Sequence, residues 1–349
     1  MEEKIRLTQF SYGGGGCKIS PVILRDMLAR IPPGIMPPEL LIGAEASDGA
    51  AVYKLNEQQA LIATTDFFIP IVDDPYDFGR IAAASALSDV YAMGGTPILA
   101  LALVGMPIGK LPLPIIGRVL EGGASICREA GIPIAGGHSI DSVEPIYGLV
   151  ALGIAPPARI RGNTGAQPGD ALILGKPLGI GILSAALQNG RLDEAGYAAM
   201  IGITTQLNRI GEKLGACDSI HALTDVTGFG LLGHLLELCR GSNCQAELVF
   251  DDLPIIDLAR DFARQDIKTD ASARNWISCA PEVALHNIAP WQQTLLTDPQ
   301  TSGGLLVACT PEAVPEILRR FHTEGYADAA ELGRLQTWES GYRITVYGA

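Results

Sequence analysis

Short acidic segments, most of them containing glycine, carry most of the potential chemistry of this chain. They are SDGAAVY (47–53), TTDFF (64–68), SDVYAMGG (88–95), GGHSID (136–141), TDVTGFG (224–230) and TDPQTSGG (297–304). Glycine lets backbone N–H groups approach a phosphate closely, and a few carboxylates together with the phosphates can hold Mg²⁺. Each segment alone is also compatible with an ordinary turn. Their recurrence, several times directly after a predicted strand, favours a nucleotide-phosphate site.

The two commonest nucleotide-binding motifs are missing from the sequence. No segment matches the phosphate loop of the P-loop NTPases, and no GxGxxG sequence opens a strand–helix–strand unit at the right place. The sequence therefore predicts that phosphates are held by cations, carboxylates and glycine loops instead.

The stretch Thr64–Met106 is predicted to position two of the carboxylates. It reads as a buried strand that carries Asp66, then a helix, a glycine turn and a second apolar strand. The pair Asp74–Pro75 is typical of a helix N-terminus, and Gly94–Gly95 is expected to end the helix.

Asp89 is the unusual residue of this helix, because it shares a face with small and apolar residues such as Ile81, Ser85 and Ala92. A buried carboxylate is unfavourable unless it is paired or bound to a cation. Asp89 could therefore cap a neighbouring element, pair with an arginine, or belong to a metal or phosphate site. The presence of Asp66 one strand away favours the metal or phosphate site.

Composition limits the classes of protein to which the chain can belong. Its 349 residues are many for one core, so we expect two domains. The net charge of −13 argues against a nucleic-acid-binding surface. The longest apolar runs, such as 97–106 and 148–156, are too short to cross a bilayer, and the N-terminus has no signal-peptide core. We therefore expect neither a nucleic-acid nor a membrane partner.

The seven cysteines are scattered, and none forms a CxxC pair. This pattern predicts a reducing, cytoplasmic location without a structural zinc site or a disulfide framework. Most of the cysteines are expected to be small core residues. Cys17 differs, because it lies in a glycine loop.

The predicted elements divide the chain into three parts. Residues 1–18 are expected to form a flexible glycine-rich arm, in which a strand-like LTQF precedes SYGGGGCK. Residues 19–156 are predicted to be an α+β domain, in which GGHSID follows a short strand. Residues 157–349 are predicted to be an α/β domain, separated from the first by the irregular segment 156–168. In this second domain we expect one helix over 194–214 and an irregular loop over 266–281.

Taken together, five segments resemble the selenophosphate synthetase (selenide, water dikinase) family. This family is part of the aminoimidazole ribonucleotide synthetase-like superfamily, with thiamine-monophosphate kinase and the hydrogenase-maturation carbamoyl dehydratase. The resemblance extends over nearly the whole chain, and the segments that carry it are LTQFSYGGGGCKISP, TTDFFIPIVDDPYDFGRIAAASALSDVYAMGGTPI, GGHSID, LTDVTGFGLLGH and TDPQTSGGLL.

The resemblance implies an α+β, two-domain aminoimidazole ribonucleotide synthetase-like fold and a homodimer in which the N-terminal sheets pair. It implies that ATP binds across this dimer through several Mg²⁺ ions, so that residues 19–156 would be an ATP/Mg-binding and dimerisation domain. The implied reaction converts ATP, selenide and water into selenophosphate, AMP and phosphate.

The resemblance also implies roles for individual residues. Lys18 matches an essential lysine on the arm, where it could neutralise phosphate, although it could also be a solvated lysine. Asp66 matches a nucleotide-site aspartate, and Asp89 and Asp225 match metal-binding aspartates.

Two further stretches match ATP-contacting stretches of the family. His138 could equally be a structural hydrogen-bonding residue, with its neighbours' backbone holding ATP. The residues are Ala46, Ser47 and Asp48 in the first stretch, and Gly137, His138 and Ser139 in the second.

Two features depart from the family pattern. The arm is one residue shorter than usual: aligned from Lys18, Cys17 matches the family's second cysteine, whereas aligned from Ser11, Gly16 takes the position of the reactive cysteine. Cys17 is therefore a candidate catalytic residue whose role stays open. The family also has two aspartates where this chain has Asp48–Gly49, so that one metal ligand is lost unless Asp48 turns inward.

These departures leave three hypotheses for the function. The first is a Mg²⁺-dependent selenophosphate synthetase. The second is an enzyme on the same scaffold that phosphorylates another acceptor, such as sulfide or a small metabolite. The third is an ATP-binding protein with weak catalysis that acts as a partner or regulator. The missing cysteine and Gly49 favour the second and the third.

Overall fold

The computed structural model describes residues 6–10, 19, 23, 27, 30, 34–43 and 48–348. Within this part of the chain, two β-sheets with packed helices form the two-domain α+β architecture that the sequence predicts. No helix in the described ranges has the length and apolar character needed to cross a membrane. Four residues with predicted roles lie outside the described residues: Cys17, Lys18, Ala46 and Ser47.

The first sheet, as far as the chain is described, contains the strands β1 Leu40–Ile42, β2 Ala51–Lys54, β3 Ala60–Phe68, β4 Thr96–Met106, β5 Ile134–Asp141 and β6 Ile146–Ala155. Their order across the sheet is β1-β2-β3-β6-β4-β5. All neighbours are antiparallel except β4 and β5, which are parallel. β5 is therefore an edge strand, and β3 lies three positions away from it.

Two long helices, α1 (Pro75–Ala92) and α2 (Leu113–Ala130), pack against each other and against the sheet. Glycine lets their backbones touch. A Cβ atom on Gly79 would lie 1.9 Å from the carbonyl oxygen of Val119, and one on Gly122 would lie 2.0 Å from that of Tyr76. The small residues of α1 are thus needed for close helix packing.

The opposite face of the first sheet carries apolar side chains that are not fully buried. Phe67 on β3 is 49% exposed. Leu101 on β4 lies directly opposite Val150 on β6, and both are only partly buried. This apolar face, which we call the open face, comprises Phe67, Leu101, Leu103, Val150 and Leu152.

The second sheet, again for the described residues, has the strand order β10-β13-β9-β12-β7-β11-β8. Its strands are β7 Ala171–Leu174, β8 Ile220–Asp225, β9 Cys244–Val249, β10 Val283–His286, β11 Leu305–Cys309, β12 Ala330–Thr337 and β13 Ile344–Tyr347. The helices of this domain are α3 Ile180–Gln188, α4 Glu194–Thr205, α5 Ile210–Gly215, α6 Gly230–Gly241, α7 Asp257–Arg264, α8 Asp270–Cys279, α9 Pro290–Leu296 and α10 Val314–Thr323.

Two expectations for the second domain are wrong. The helix predicted over 194–214 is divided into α4 and α5, because Gln206 has extended backbone angles and its carbonyl oxygen accepts a hydrogen bond from Lys176 Nζ instead. The loop predicted over 266–281 contains α8, whose N-terminus is capped by the Thr269 side chain.

Two expectations for the first domain also need correction. The segment GGHSID is not a loop after a strand but continues β5 to Asp141, paired in parallel with β4. The strand-like LTQF is a 3-10 helix, Leu7–Phe10. It forms because the Asp73 carboxylate accepts hydrogen bonds from the Thr8 backbone, the Thr8 hydroxyl and Arg6 Nε.

Candidate active site

Asp89 on α1 lies beside a hydroxyl group of strand β3. Thr64 Oγ1 is 2.6 Å from Asp89 Oδ2 and 2.8 Å from the carbonyl oxygen of Gly49. The single hydroxyl proton can serve one of these acceptors at a time. The carboxylate is thus directed towards β3 and the Gly49 turn, on a face of α1 that is otherwise small and apolar.

Asp66 is held from the same helix. Ser85 Oγ on α1 donates a hydrogen bond to Asp66 Oδ2 at 2.6 Å. Asp66 and Thr64 are two residues apart on β3, so their side chains share the face of the sheet that meets α1. Ser85 therefore orients a carboxylate besides being small enough for close packing.

Asp225 reaches the same helix from the second domain. It is the last residue of β8 and is buried, and its Oδ2 accepts a hydrogen bond from Ser88 Oγ at 2.5 Å. Ser85, Ser88 and Asp89 occupy positions i, i+3 and i+4 of α1, which lie on one face of a helix. The structure thus brings Asp66, Asp89 and Asp225 to one side of α1.

Asp48 joins the two domains at the edge of the first sheet. The backbone N–H of Asn163 donates to its Oδ1 at 2.8 Å, while its Oδ2 is buried without a hydrogen-bond partner among the described residues. Burial raises the pKa of Asp48 to about 6, a shift that the Asn163 N–H opposes and the charge of Glu237 reinforces. A bound cation would give this buried oxygen the partner that it does not have among the described residues.

A cleft of about 430 Å³ opens beside Asp48. Gly49 lies at its rim, where a Cβ atom would lie 2.6 Å from Asp89 Oδ1 unless the Asp89 side chain shifted. The cleft is lined by Gly43, Asp48, Gly49, Ala50, Ala51, Ala63, Thr64, Thr65 and Val150.

The donor set of this region fits Mg²⁺ that is bound together with phosphates. Among the described residues, no group of three or more His, Cys, Asp or Glu side chains is close enough to hold a metal ion alone. Mg²⁺ usually takes only one or two carboxylates from a protein and completes its shell with phosphate oxygens and water. The unpartnered Oδ2 of Asp48 and the carboxylates along α1 are oxygen donors of the kind that this binding requires.

The second predicted ATP-contacting stretch lies elsewhere in the chain. Gly137, His138 and Ser139 are exposed residues of the edge strand β5. Strands β6 and β4 separate β5 from β3, so the two strands lie about 14 Å apart at the usual interstrand spacing. A single chain therefore does not bring this stretch to Asp66.

Sequence comparison places this chain among proteins of a known class. Residues 47–155 match the family pattern of the AIR synthase related protein, N-terminal domain, and residues 167–343 match that of its C-terminal domain. Over 341 residues the chain is 60% identical to the selenide, water dikinase of Paraburkholderia xenovorans (strain LB400), covering 97% of this chain and 96% of that protein. The chain belongs to the selenide, water dikinase family.

A second relative agrees with this assignment, and a solved structure agrees with the fold. The selenide, water dikinase of Dechloromonas aromatica (strain RCB) is 58% identical over 348 residues, which cover 98% of this chain and 99% of that protein. The fold is similar to that of thiamine-monophosphate kinase from Stenotrophomonas maltophilia K279a, with a TM-score of 0.65 and 20% identity over 93% of this chain and 94% of the other.

One acidic segment of this selenide, water dikinase family member supplies side chains that cap a helix of the same chain. In TDPQTSGG, Asp298 Oδ2 accepts hydrogen bonds from the N–H groups of Gly181 and Ile182 at the start of α3. Gln300 Oε1 accepts those of Gly179 and Ile180. These two side chains therefore cap α3, and whether the rest of this segment contacts phosphate stays a prediction.

Sequence reasoning missed Lys176, which is buried beside the site. Its Nζ donates to the carbonyl oxygens of Gln206 at 2.7 Å and Ser302 at 2.8 Å. Burial lowers its pKa to about 7, against the opposing effect of the Asp225 charge. The signal was present in the sequence, since this lysine interrupts the apolar run ALILGKPLGIGIL (171–183). Ser88 and Asn208 were also missed, because their roles depend on contacts between the two domains.

Proposed function

We propose that this chain synthesises selenophosphate from ATP, selenide and water, releasing AMP and phosphate. The observation that carries the proposal is 60% identity to a selenide, water dikinase over nearly the whole of both chains. The carboxylates beside the cleft support it, because a reaction of ATP requires binding and neutralising a polyphosphate.

The proposed binding site for ATP and Mg²⁺ includes residues of both domains. Mg²⁺ would neutralise charge on the phosphates when bound. We propose Asp48, Asp89 and Asp225 as ligands of Mg²⁺. The residues proposed to contact the nucleotide are Asp66, Ala46, Ser47 and Asp48. The unpartnered Oδ2 of Asp48 supports this assignment. Gly49 takes the place of the family's second aspartate, so in this proposal Asp48 is the metal ligand of its segment.

The proposed chemistry relies on positioning and on charge neutralisation. Selenide attacks the γ-phosphorus, so that a P–Se bond forms as the bond to the β-phosphate oxygen breaks and ADP leaves. Water then cleaves the remaining anhydride of ADP to give AMP and phosphate. Lys18 is proposed to neutralise phosphate charge as a point cation. Cys17 is the proposed thiol of the site, since Gly16 stands where the family's reactive cysteine can be aligned.

We further propose that the active molecule is a homodimer in the cytoplasm. Gly137, His138 and Ser139 lie three strand positions from Asp66 within one chain, so we propose that a partner's β5 supplies them to the nucleotide. The open face and the unpaired edge of β5 offer surface for that pairing. The six cysteines in the described part of the chain are all free, which supports a reducing location.

Phosphorus NMR of the full reaction tests the proposed function. The protein is incubated with ATP and Mg²⁺, with and without selenide under anaerobic conditions. We expect selenophosphate, AMP and phosphate to appear in equal amounts only when selenide is present. Unchanged ATP, or a different phosphorylated product when selenide is replaced by sulfide or a metabolite extract, would contradict the proposal.

A further inference from the structure

A short chain of buried side chains connects the two domains at Asp225. Ser88 on α1 is 0% exposed, Asn208 between α4 and α5 is 1% exposed, and Asp225 is 4% exposed. Asn208 Nδ2 lies 2.8 Å from Ser88 Oγ, and Ser88 Oγ lies 2.5 Å from Asp225 Oδ2. No water-exposed atom interrupts this sequence of donors and acceptors.

The direction of each hydrogen bond in this chain is fixed. Asn208 Nδ2 also donates to the carbonyl oxygen of Gly303 at 2.8 Å. A carbonyl oxygen can only accept, so the amide nitrogen, and not the amide oxygen, must face Gly303 and Ser88. Ser88 Oγ therefore accepts from Asn208, and its own proton must point to Asp225 Oδ2. The Ser88 proton cannot turn towards Asn208, because the Asn208 amide already donates a hydrogen bond to Ser88 Oγ from that side.

This arrangement determines how Asp225 is presented. Within the described residues, Ser88 is the side chain that donates to Asp225, and it occupies Oδ2. The remaining oxygen, Oδ1, is left for a cation. Because Ser88 is adjacent in sequence to Asp89, helix α1 sets the position of one carboxylate from each domain. Thr64 lies beside Asp89 in a similar way, but it shares its proton between Asp89 Oδ2 and the Gly49 carbonyl oxygen.

We propose that Ser88, oriented by Asn208, is a positioning residue that holds Asp225 for binding of a divalent cation with ATP. The proposal rests on the proposed function only in taking Asp225 as a cation ligand. Hydrogen-bond partners of metal ligands typically change metal affinity by about 10–100-fold when they are removed. The hydroxyl contributes no charge and is fully buried, so its removal should change cation binding through Asp225.

The test measures Mn²⁺ binding by electron paramagnetic resonance, with the full-length protein and a non-hydrolysable ATP analogue. Ser88→Ala should weaken Mn²⁺ binding about 10–100-fold while nucleotide-free thermal stability changes little. Asn208→Ala should weaken it in the same direction, and the double variant should be no weaker than Ser88→Ala. In turnover assays, Ser88→Ala should need more Mg²⁺ but approach the wild-type rate when Mg²⁺ is saturating.

Ser184→Ala is the matched control. Ser184 is equally buried and also bridges the domains, but its hydroxyl meets only the carbonyl oxygen of Ile71, at 3.5 Å. Unchanged Mn²⁺ affinity in Ser88→Ala, or an equal loss in Ser184→Ala, would overturn the proposal. If Ser88→Ala does not fold, Ser88→Cys tests the same point with a weaker donor of similar size. Wild-type protein that binds no Mn²⁺ with nucleotide would also overturn it, whereas Mn²⁺ binding without selenophosphate formation would refute only the proposed function.

Discussion

At the scale of single residues, hydroxyl groups orient the carboxylates of the candidate site. A hydroxyl donor engages one oxygen of a carboxyl group and so fixes the direction in which the group points. The small residues of α1 thus serve packing and carboxylate orientation together. The pairs are Ser85 with Asp66, Thr64 with Asp89, and Ser88 with Asp225.

Asp89→Asn should greatly reduce Mg²⁺-dependent turnover of ATP. The amide keeps the size of the side chain but loses the negative charge that a cation requires. Removal of a direct ligand should cost at least as much as removal of its partner, so we expect a loss of about 100-fold or more. Initial rates of AMP formation over a range of Mg²⁺ concentrations measure the effect, and circular dichroism checks that the fold is retained.

The exposed Asp251 provides the control for this substitution. Asp251→Asn removes the same charge from the surface of the second domain, far along the chain from α1. It should leave turnover unchanged. Normal turnover by Asp89→Asn would place the cation site elsewhere, and an equal loss in both variants would mean that net charge, and not this carboxylate, matters.

At the scale of elements, local signals predicted helices well where the chain itself decides their ends. The amphipathic pattern from Leu113 to Ala130 predicts a helix that Gly131 ends, and the helix has those bounds because Gly131 takes a left-handed conformation. The first turn of α1 is capped by Asp74 as predicted. The break between α4 and α5 could not be predicted, because it depends on a hydrogen bond from Lys176, thirty residues earlier. Likewise, the cap of α3 comes from Asp298 and Gln300, which are distant in sequence.

The cap of α3 should make the stability of the protein depend on pH. Burial raises the pKa of Asp298 from 3.8 to about 8, although N–H donors from Ile182, the Gln300 side chain and Gly181 oppose the shift. Because the folded state binds this proton more tightly than the unfolded state, the stabilisation is complete below pH 3.8. It is lost as pH rises to about 8, at up to about 1.4 kcal/mol per pH unit.

Asp298→Asn isolates this effect, because the amide mimics the protonated acid but does not titrate. We expect the melting temperature of the variant to rise relative to that of the wild type between pH 5 and pH 8. Thermal unfolding at several pH values measures the difference, and the other titrating groups cancel in the comparison. If the melting temperatures of the two proteins change with pH in parallel, Asp298 is ionised in the folded state throughout this range.

At the scale of the whole molecule, the sheet order separates two predicted ATP-contacting stretches whose relative placement the sequence does not give. The acidic segments identified Asp48, Asp66, Asp89 and Asp225, which the structure brings to α1 and the cleft beside β2. The segments alone do not show that β5 lies at the far edge of the sheet. Strand order depends on long-range pairing, which places β6 between β3 and β4. The arm and its residues Cys17 and Lys18 lie outside the described residues, so their roles stay predictions.

Leu101→Asp should separate the proposed dimer and abolish ATP turnover together. Leu101 lies near the centre of the open face, opposite Val150 on β6 and Gly136 on β5, so a carboxylate there would be buried without a partner in a paired sheet. Light scattering after size exclusion should give about twice 36.7 kDa for the wild type and 36.7 kDa for the variant. Leu113→Asp is the control, because Leu113 is 73% exposed at the start of α2 and should affect neither property. A Leu101→Asp protein that is monomeric but turns over ATP normally would show that one chain forms the whole site, and that Gly137, His138 and Ser139 of a partner are not needed.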